Sequence, residues 1–170
     1  LTGHLVLSTL HTNDAPSAIT RLLELGVPSY LLNATVLGVV AQRLVRTLCP
    51  HCKQPAPVDT AAWRALVHPY KVAPPTTLQG PRGCLECRHT GYLGRIGIYE
   101  TLVLTPALRA LISPGADVRA LRELAIKEGM RPLHLSGARK AHEGLTTIEE
   151  VRRVAPPPAV ARVGSEGSFQ

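Results

Sequence analysis

Residues 41–52 read AQRLVRTLCPHC, and residues 83–100 read GCLECRHTGYLGRIGIYE. In the first stretch, which could continue a preceding helix or form a strand, Gln42 and Leu44 alternate with Arg43 and Val45, a period of two that favours a strand over 41–48. That strand runs into Cys49-Pro50-His51-Cys52, and after 31 intervening residues comes Cys84-Leu85-Glu86-Cys87. Chelation of one tetrahedral ion explains both C-x2-C pairs at once: each turn offers two sulfurs to Zn²⁺, and the second pair closes the shell. Other chemistry fits the pattern less fully. A redox dithiol needs only one pair, two disulfides need an oxidising compartment, and unoccupied thiols or an iron–sulfur cluster complete the alternatives. His51 and His89 flank the knuckles and are expected to stay outside a four-cysteine shell. The predicted metal ligands are therefore Cys49, Cys52, Cys84 and Cys87, in a structural and not a catalytic site.

Outward from this pattern, 170 residues with 45% hydrophobic and 18% charged content are those of a folded chain of one domain or two small ones. No run of apolar residues is long enough to span a membrane. Aromatics make up only 4%, so the core must be built from Leu, Val, Ile and Ala. The formal charge of +7 is spread along the chain, with its largest share in residues 49–97. Such a surplus permits contact with nucleic acid or an anionic membrane without arguing for either. The opening Leu1-Thr2-Gly3-His4 has neither an initiator Met nor a polar lead-in, so the sequence is expected to be a piece of a longer protein.

Residues 4–10, HLVLSTL, predict a buried strand. The polar turn His11-Thr12-Asn13-Asp14 follows, with Asp14 capping a helix that accepts Pro16 in its first turn and stops at Gly26. A second helix is expected from Ser29, with Leu32, Val36 and Val39 facing inward and Gly38 as its weak point. One short helix falls near 61–67, and 72–81 reads as loop. The glycines of 91–97 predict tight turns against the metal knuckle, and a short strand follows at 96–100. Helices are then expected around Leu108–Ile112, after Asp117 up to Gly129, over 132–142, and after a Thr147/Glu150 capping box. Met130 is expected in the core, and residues 155–170, with three consecutive prolines, in a tail.

A polar cluster at the carboxyl end of a strand is where α/β proteins place chemistry. His11, Thr12 and Asn13 can hydrogen-bond a phosphate or orient a water; equally, these residue types satisfy a turn. Arg43 and Arg46 are costly to bury unless paired, and either a phosphate, an interface or an ion pair would satisfy them.

Taken in order, LTGHLVLSTLHTN at 1–13, AQRLVRTLCPHC at 41–52, GCLECRHTGYLGRIGIYE at 83–100, EGMRPL at 128–133 and EGLTTIEEV at 143–151 resemble the ATPases of type II secretion and type IV pilus assembly. The resemblance implies an α/β fold: part of a RecA-like P-loop NTPase core over 1–48, an inserted tetracysteine zinc subdomain over 49–97, a C-terminal helical region over 98–154 and a tail over 155–170. It implies a homo-hexameric cytoplasmic ring, peripheral to the inner membrane, that hydrolyses ATP with Mg²⁺ and drives a membrane platform protein. His11 matches the histidine that senses the γ-phosphate, His4 the first histidine of the same box, and Thr12 and Asn13 fall beside them. Arg43 lies in the QRL segment and is expected to link the nucleotide site to the subdomain. The four cysteines match zinc ligands.

Departures accompany the match. No Gly-x-x-x-x-Gly-Lys-Ser/Thr sequence occurs in the 170 residues, so the chain by itself is expected neither to bind Mg-ATP tightly nor to hydrolyse it. An exposed sheet edge is expected too. Ser136 stands where relatives often carry an acidic residue. Two other readings compete: a stand-alone zinc module that binds protein or nucleic acid, and a motor remnant without catalysis. The former lacks interleaved aromatics for base stacking, so no specific nucleic acid is expected.

Overall fold

The computed structural model describes residues 3–157. Its backbone is a long antiparallel ribbon of β1 (Gly38–Leu48) and β4 (Tyr92–Val103). The pairing runs from Gly38 opposite Val103 to Arg46 opposite Arg95, then shifts register before Leu48 pairs with Tyr92. Gly94, at a φ of +79°, supplies the left-handed residue of this bulge. Alternation puts Val39, Ala41, Arg43 and Val45 on one face of β1 and Val40, Gln42, Leu44 and Arg46 on the other.

Helices pack on the first of these faces. α1 (Ala15–Glu24) and α2 (Ser29–Thr35) precede the ribbon. Between its strands come β2 (Gln54–Ala56), α3 (Thr60–Val67) and β3 (Leu78–Gly80), with β2 and β3 paired antiparallel. After it come α4 (Pro106–Ala110), α5 (Val118–Lys127), α6 (Leu133–His142) and α7 (Ile148–Val154). The result is a small mixed α/β fold. Among the described residues no helix is long and apolar enough to cross a membrane.

Two separate cores line the ribbon. One joins Val45 and Ile98 to Trp63, Leu66, Leu133 and Val151; the other joins Leu102 to Ala15, Ile19, Leu32, Leu108, Leu121 and Met130. Aliphatic side chains dominate both, and Trp63, the chain's one tryptophan, is 2% exposed with its indole N–H donated to the Val72 carbonyl.

Glu100 sits between the cores, on the ribbon face shared by Ile98 and Leu102, and is 4% exposed. Its Oε1 accepts from the Ala15 N–H at 2.9 Å and its Oε2 from the Leu133 N–H at 3.2 Å. Those amides open α1 and α6, so one carboxylate satisfies orphan donors at two helix N-termini, where the helix dipoles favour negative charge. Burial pushes its carboxyl up from the ordinary glutamate value, against the pull of the two amides.

Helix ends follow their sequence signals. Asp14 accepts from the Ser17 N–H at 2.9 Å, and Gly26, at a φ of +86°, donates to Leu23 while Val27 donates to Leu22. Asp117 caps α5, Gly129 closes it, and Thr147 caps α7 through the Glu150 N–H.

Several expectations change. Residues 4–10 form no strand: Leu5, Val6 and Leu7 are 76%, 79% and 88% exposed. A strand needs a ladder, and β1 and β4 pair with each other and leave 4–10 without one among the described residues. The second helix ends at Thr35, and Val39 belongs to β1. Gly38 admits Leu102, whose carbonyl oxygen would lie 2.7 Å from a Cβ there. The stretch 92–103 is a strand throughout; Gly91 and Gly94 do turn left-handed, but Gly97 is extended and covered by the Tyr99 ring. Within 72–81, Leu78–Gly80 pairs with β2. Ala155 is buried against the Val151 cluster, and residues 158–170 of the expected tail lie outside the described residues.

α7 is tied to β1 by Glu150. Its carboxylate accepts from the Arg46 backbone and guanidinium at 3.2 and 2.5 Å and from Arg153 at 2.9 Å. The Arg46 guanidinium holds the Glu150 carboxyl at about 2, below the ordinary 4.5.

Two outcomes follow from these carboxylates. Glu100→Ala leaves two amides unpaired and is expected to cost about 2–4 kcal/mol, read as a lower urea midpoint. Ionised Glu150 stabilises the fold above about pH 4.5, and that contribution is lost as pH falls toward 2. Urea midpoints of the parent chain and Glu150→Gln should therefore converge on acidification and separate toward neutrality.

Candidate metal centre and histidine turn

β1 delivers Cys49 directly from its end, where the Cys49 N–H donates to Gly91 and its carbonyl accepts from Cys52 and Lys53. The second knuckle is closed by the His89 N–H on the Cys84 carbonyl, with Arg88 and His89 at φ values of 51° and 59°. Gly83 and Gly91 are required here. A Cβ at Gly83 would stand 2.8 Å from the His89 carbonyl oxygen, and one at Gly91 would overlap Pro81.

These turns bring the four sulfurs within 4.8 Å of one another. Cys49 and Cys84 are 3.8 Å apart, Cys52 and Cys87 3.8 Å, and Cys84 and Cys87 3.7 Å. Disulfide sulfurs stand about 2.05 Å apart. Ligands at a Zn–S distance of about 2.3 Å on a tetrahedron are about 3.8 Å apart. The donor set and its spacing thus fit one metal ion and are compatible with zinc. Backbone amides complete the surroundings: Gly83 donates to the Cys52 sulfur at 3.3 Å, and Cys84 and Gly91 to the Cys87 sulfur at 3.2 Å. Burial opposes a thiolate at Cys87, but the Cys84 and Gly91 amides outweigh it and bring the thiol down to about 6. At Cys52 burial and the neighbouring thiols prevail over the Gly83 amide and push it up to about 11. His51 and His89 are exposed and outside the cluster.

The histidine turn lies at the start of α1. His4 and His11 are exposed, Thr12 is half-buried and Asn13 exposed. Arg43, on the core-side face of β1, donates to the Thr12 carbonyl at 3.4 Å and to Asn13 Oδ1 at 3.3 Å. From the other side Arg122 of α5 pairs with Asp14 at 2.6 Å. Burial raises the Asp14 carboxyl, but Ser17 and Arg122 together bring it below its ordinary value. The structure thus brings Arg43 together with Thr12 and Asn13. Arg46 points to the opposite face of the ribbon and meets Glu150 instead.

Glu100, Arg122 and the long-range role of Glu150 escaped the sequence reading. Glu150 was visible only as half of a capping box, whose local geometry gives no sign of Arg46, 104 residues away. Arg122 sits in an amphipathic helix with nothing to separate it from a solvated arginine.

Comparison with known proteins places these features in context. Residues 1–153 match the family described as type II/IV secretion system protein. The chain is 56% identical to the type IV pilus assembly ATPase TfpB of Acinetobacter baylyi, over 92% of its length and 27% of that protein. It is 50% identical to type II secretion system protein E of Pseudomonas aeruginosa, over 91% of the chain and 30% of that protein. It is 47% identical to the type IV pilus assembly ATPase PilB of Myxococcus xanthus, over 89% of the chain and 27% of that protein. The chain thus spans less than a third of the length of these three relatives. With a match running from the histidine turn through both cysteine pairs to α7, the chain belongs to the type II/IV secretion system protein family.

Proposed function

We propose that this chain is the C-terminal part of a hexameric P-loop ATPase that powers type II secretion or type IV pilus assembly. The observation that carries the reading is the likeness along residues 1–153 to relatives named as ATPases and secretion proteins of these machines. On this reading residues 1–48 continue a RecA-like core whose phosphate-binding loop is elsewhere in the same polypeptide. Residues 49–97 form a zinc subdomain and 98–154 a helical region. The ring works on the cytoplasmic side of the inner membrane against a platform protein.

ATP with Mg²⁺ supplies the transferable phosphoryl group and neutralises its charge when bound in the complete protein. His11 senses the γ-phosphate, His4 stands near the nucleotide or a neighbouring subunit, and Thr12 and Asn13 hydrogen-bond phosphate or water. Arg43 fixes the turn against β1. From Arg43 to Cys49 the strand covers about 20 Å, so one rigid element connects the nucleotide turn to the metal knuckle. A Zn²⁺ ion on Cys49, Cys52, Cys84 and Cys87 supplies a closed structural clamp.

Three measurements test this. In the complete protein, His11→Ala is expected to lower kcat about 10²-fold with a smaller change in KM, as for loss of a group that acts in the transition state. Unchanged kcat overturns the sensor role. The purified 170-residue chain is expected to carry about one zinc, with its thiols titrating only after chelation. Gly91→Ala should weaken metal retention about 10–100-fold by displacing the amide on the Cys87 sulfur. Metal-free chain with freely reactive thiols overturns the zinc assignment.

A further inference from the structure

We infer that the groove between Arg46, Arg95 and Arg153 is a docking site for a carboxylate-bearing segment of a partner protein. The groove is lined by these three arginines together with Leu44 and Val154. Arg46 and Arg95 face each other directly across the ribbon, an arrangement of like charges that ordinarily destabilises a sheet. Glu150 relieves part of the repulsion, but it is committed to Arg46 and Arg153. Three guanidiniums against one carboxylate leave a surplus of two positive charges. The Arg95 guanidinium has no ion pair or hydrogen bond among the described residues.

The site is organised in advance. Glu150 is 3% exposed and grips both of its arginines, and the Arg46 guanidinium lies 4.2 Å over the Tyr92 ring. Held this way, the arginines lose little conformational freedom when an anion arrives. The free donors favour a carboxylate, the group to which Arg46 and Arg153 already donate at Glu150.

Shape and surroundings point to a peptide and not to a free ion. The groove is open, and Leu44 and Val154 give it apolar walls. Leu44 is 48% exposed, and on the same ribbon face Val40 and Tyr99 are 63% and 49% exposed. An extended segment turns every second side chain toward the ribbon, so one that carries acidic and apolar residues at i, i+2 and i+4 would meet the guanidiniums with the former and the apolar part of this face with the latter.

The test uses the 170-residue chain and calorimetric titration with a synthetic peptide that carries glutamate and leucine at every second position, on one side of an extended backbone, with serine between them. Binding that weakens as salt rises, vanishes when glutamine replaces glutamate, and falls about tenfold or more in Arg95→Gln and measurably in Leu44→Ala supports the site. Unaltered thermal unfolding and cysteine reactivity in both variants show that the fold is intact. Absence of peptide binding at low salt overturns the proposal, as does binding that ignores Arg95→Gln. Inorganic phosphate binding that depends on Arg95 but not on Leu44 overturns it in favour of a small-anion site. Capture by phosphatidylserine vesicles without peptide binding overturns it in favour of a membrane surface. No nucleotide is involved, so failure here leaves the ATPase reading untouched.

Discussion

A single carboxylate holds two cores to one ribbon. The ribbon of β1 and β4 is too narrow to bury a continuous sheet face, and its helices gather in two clusters, around Ile98 and around Leu102. Glu100 lies between them and accepts the opening amides of α1 and α6, one from each cluster. Either helix could satisfy its first turn with water if it stood at the surface, but here both starts are buried, so an internal acceptor is required. The arrangement fixes the direction in which each helix leaves the ribbon, and with it the position of the turn at residues 11–14.

That turn is then clamped twice more, by Arg43 from the strand and by Arg122 from α5. The second clamp ties it to the C-terminal helices through Asp14, the N-cap residue of α1. At the far end of β1 the edge is occupied by residues 145–150: Leu145 accepts from Leu48, Thr146 donates to Arg46, and Glu150 takes the Arg46 guanidinium. β1 is therefore held at its middle by the histidine turn and at its end by α7 and the cysteine knuckle. A displacement at one of these points has a stiff path to the others.

The same ribbon presents its other face to solvent, with Val40, Leu44 and Tyr99 exposed, and residues 4–10 add Leu5, Val6 and Leu7. The charged end of that face, at Arg95, differs in character from the rest.

How much of this was legible depends on the range of the interaction. The strand over 41–48, the caps at Asp14, Asp117 and Thr147, the stops at Gly26 and Gly129 and the gathering of four cysteines were all readable, because each rests on spacing within a few residues or on a shared ligand chemistry. The strand expected at 4–10 failed because a ladder partner is not a local property, and its apolar pattern says nothing of where that partner lies. β4 was read too short because Gly94 looked like a turn; a bulge within a ribbon uses the same residue. By itself the sequence determined most of the helix caps and stops, the grouping of the four cysteines and the family. Only the tertiary structure decided that Glu100 joins two helix starts, that Arg43 and Arg122 grip one turn, and that Arg46 and Arg95 face each other. Those outcomes join residues tens of positions apart, and buried charge has no sequence signature until its partners are folded against it.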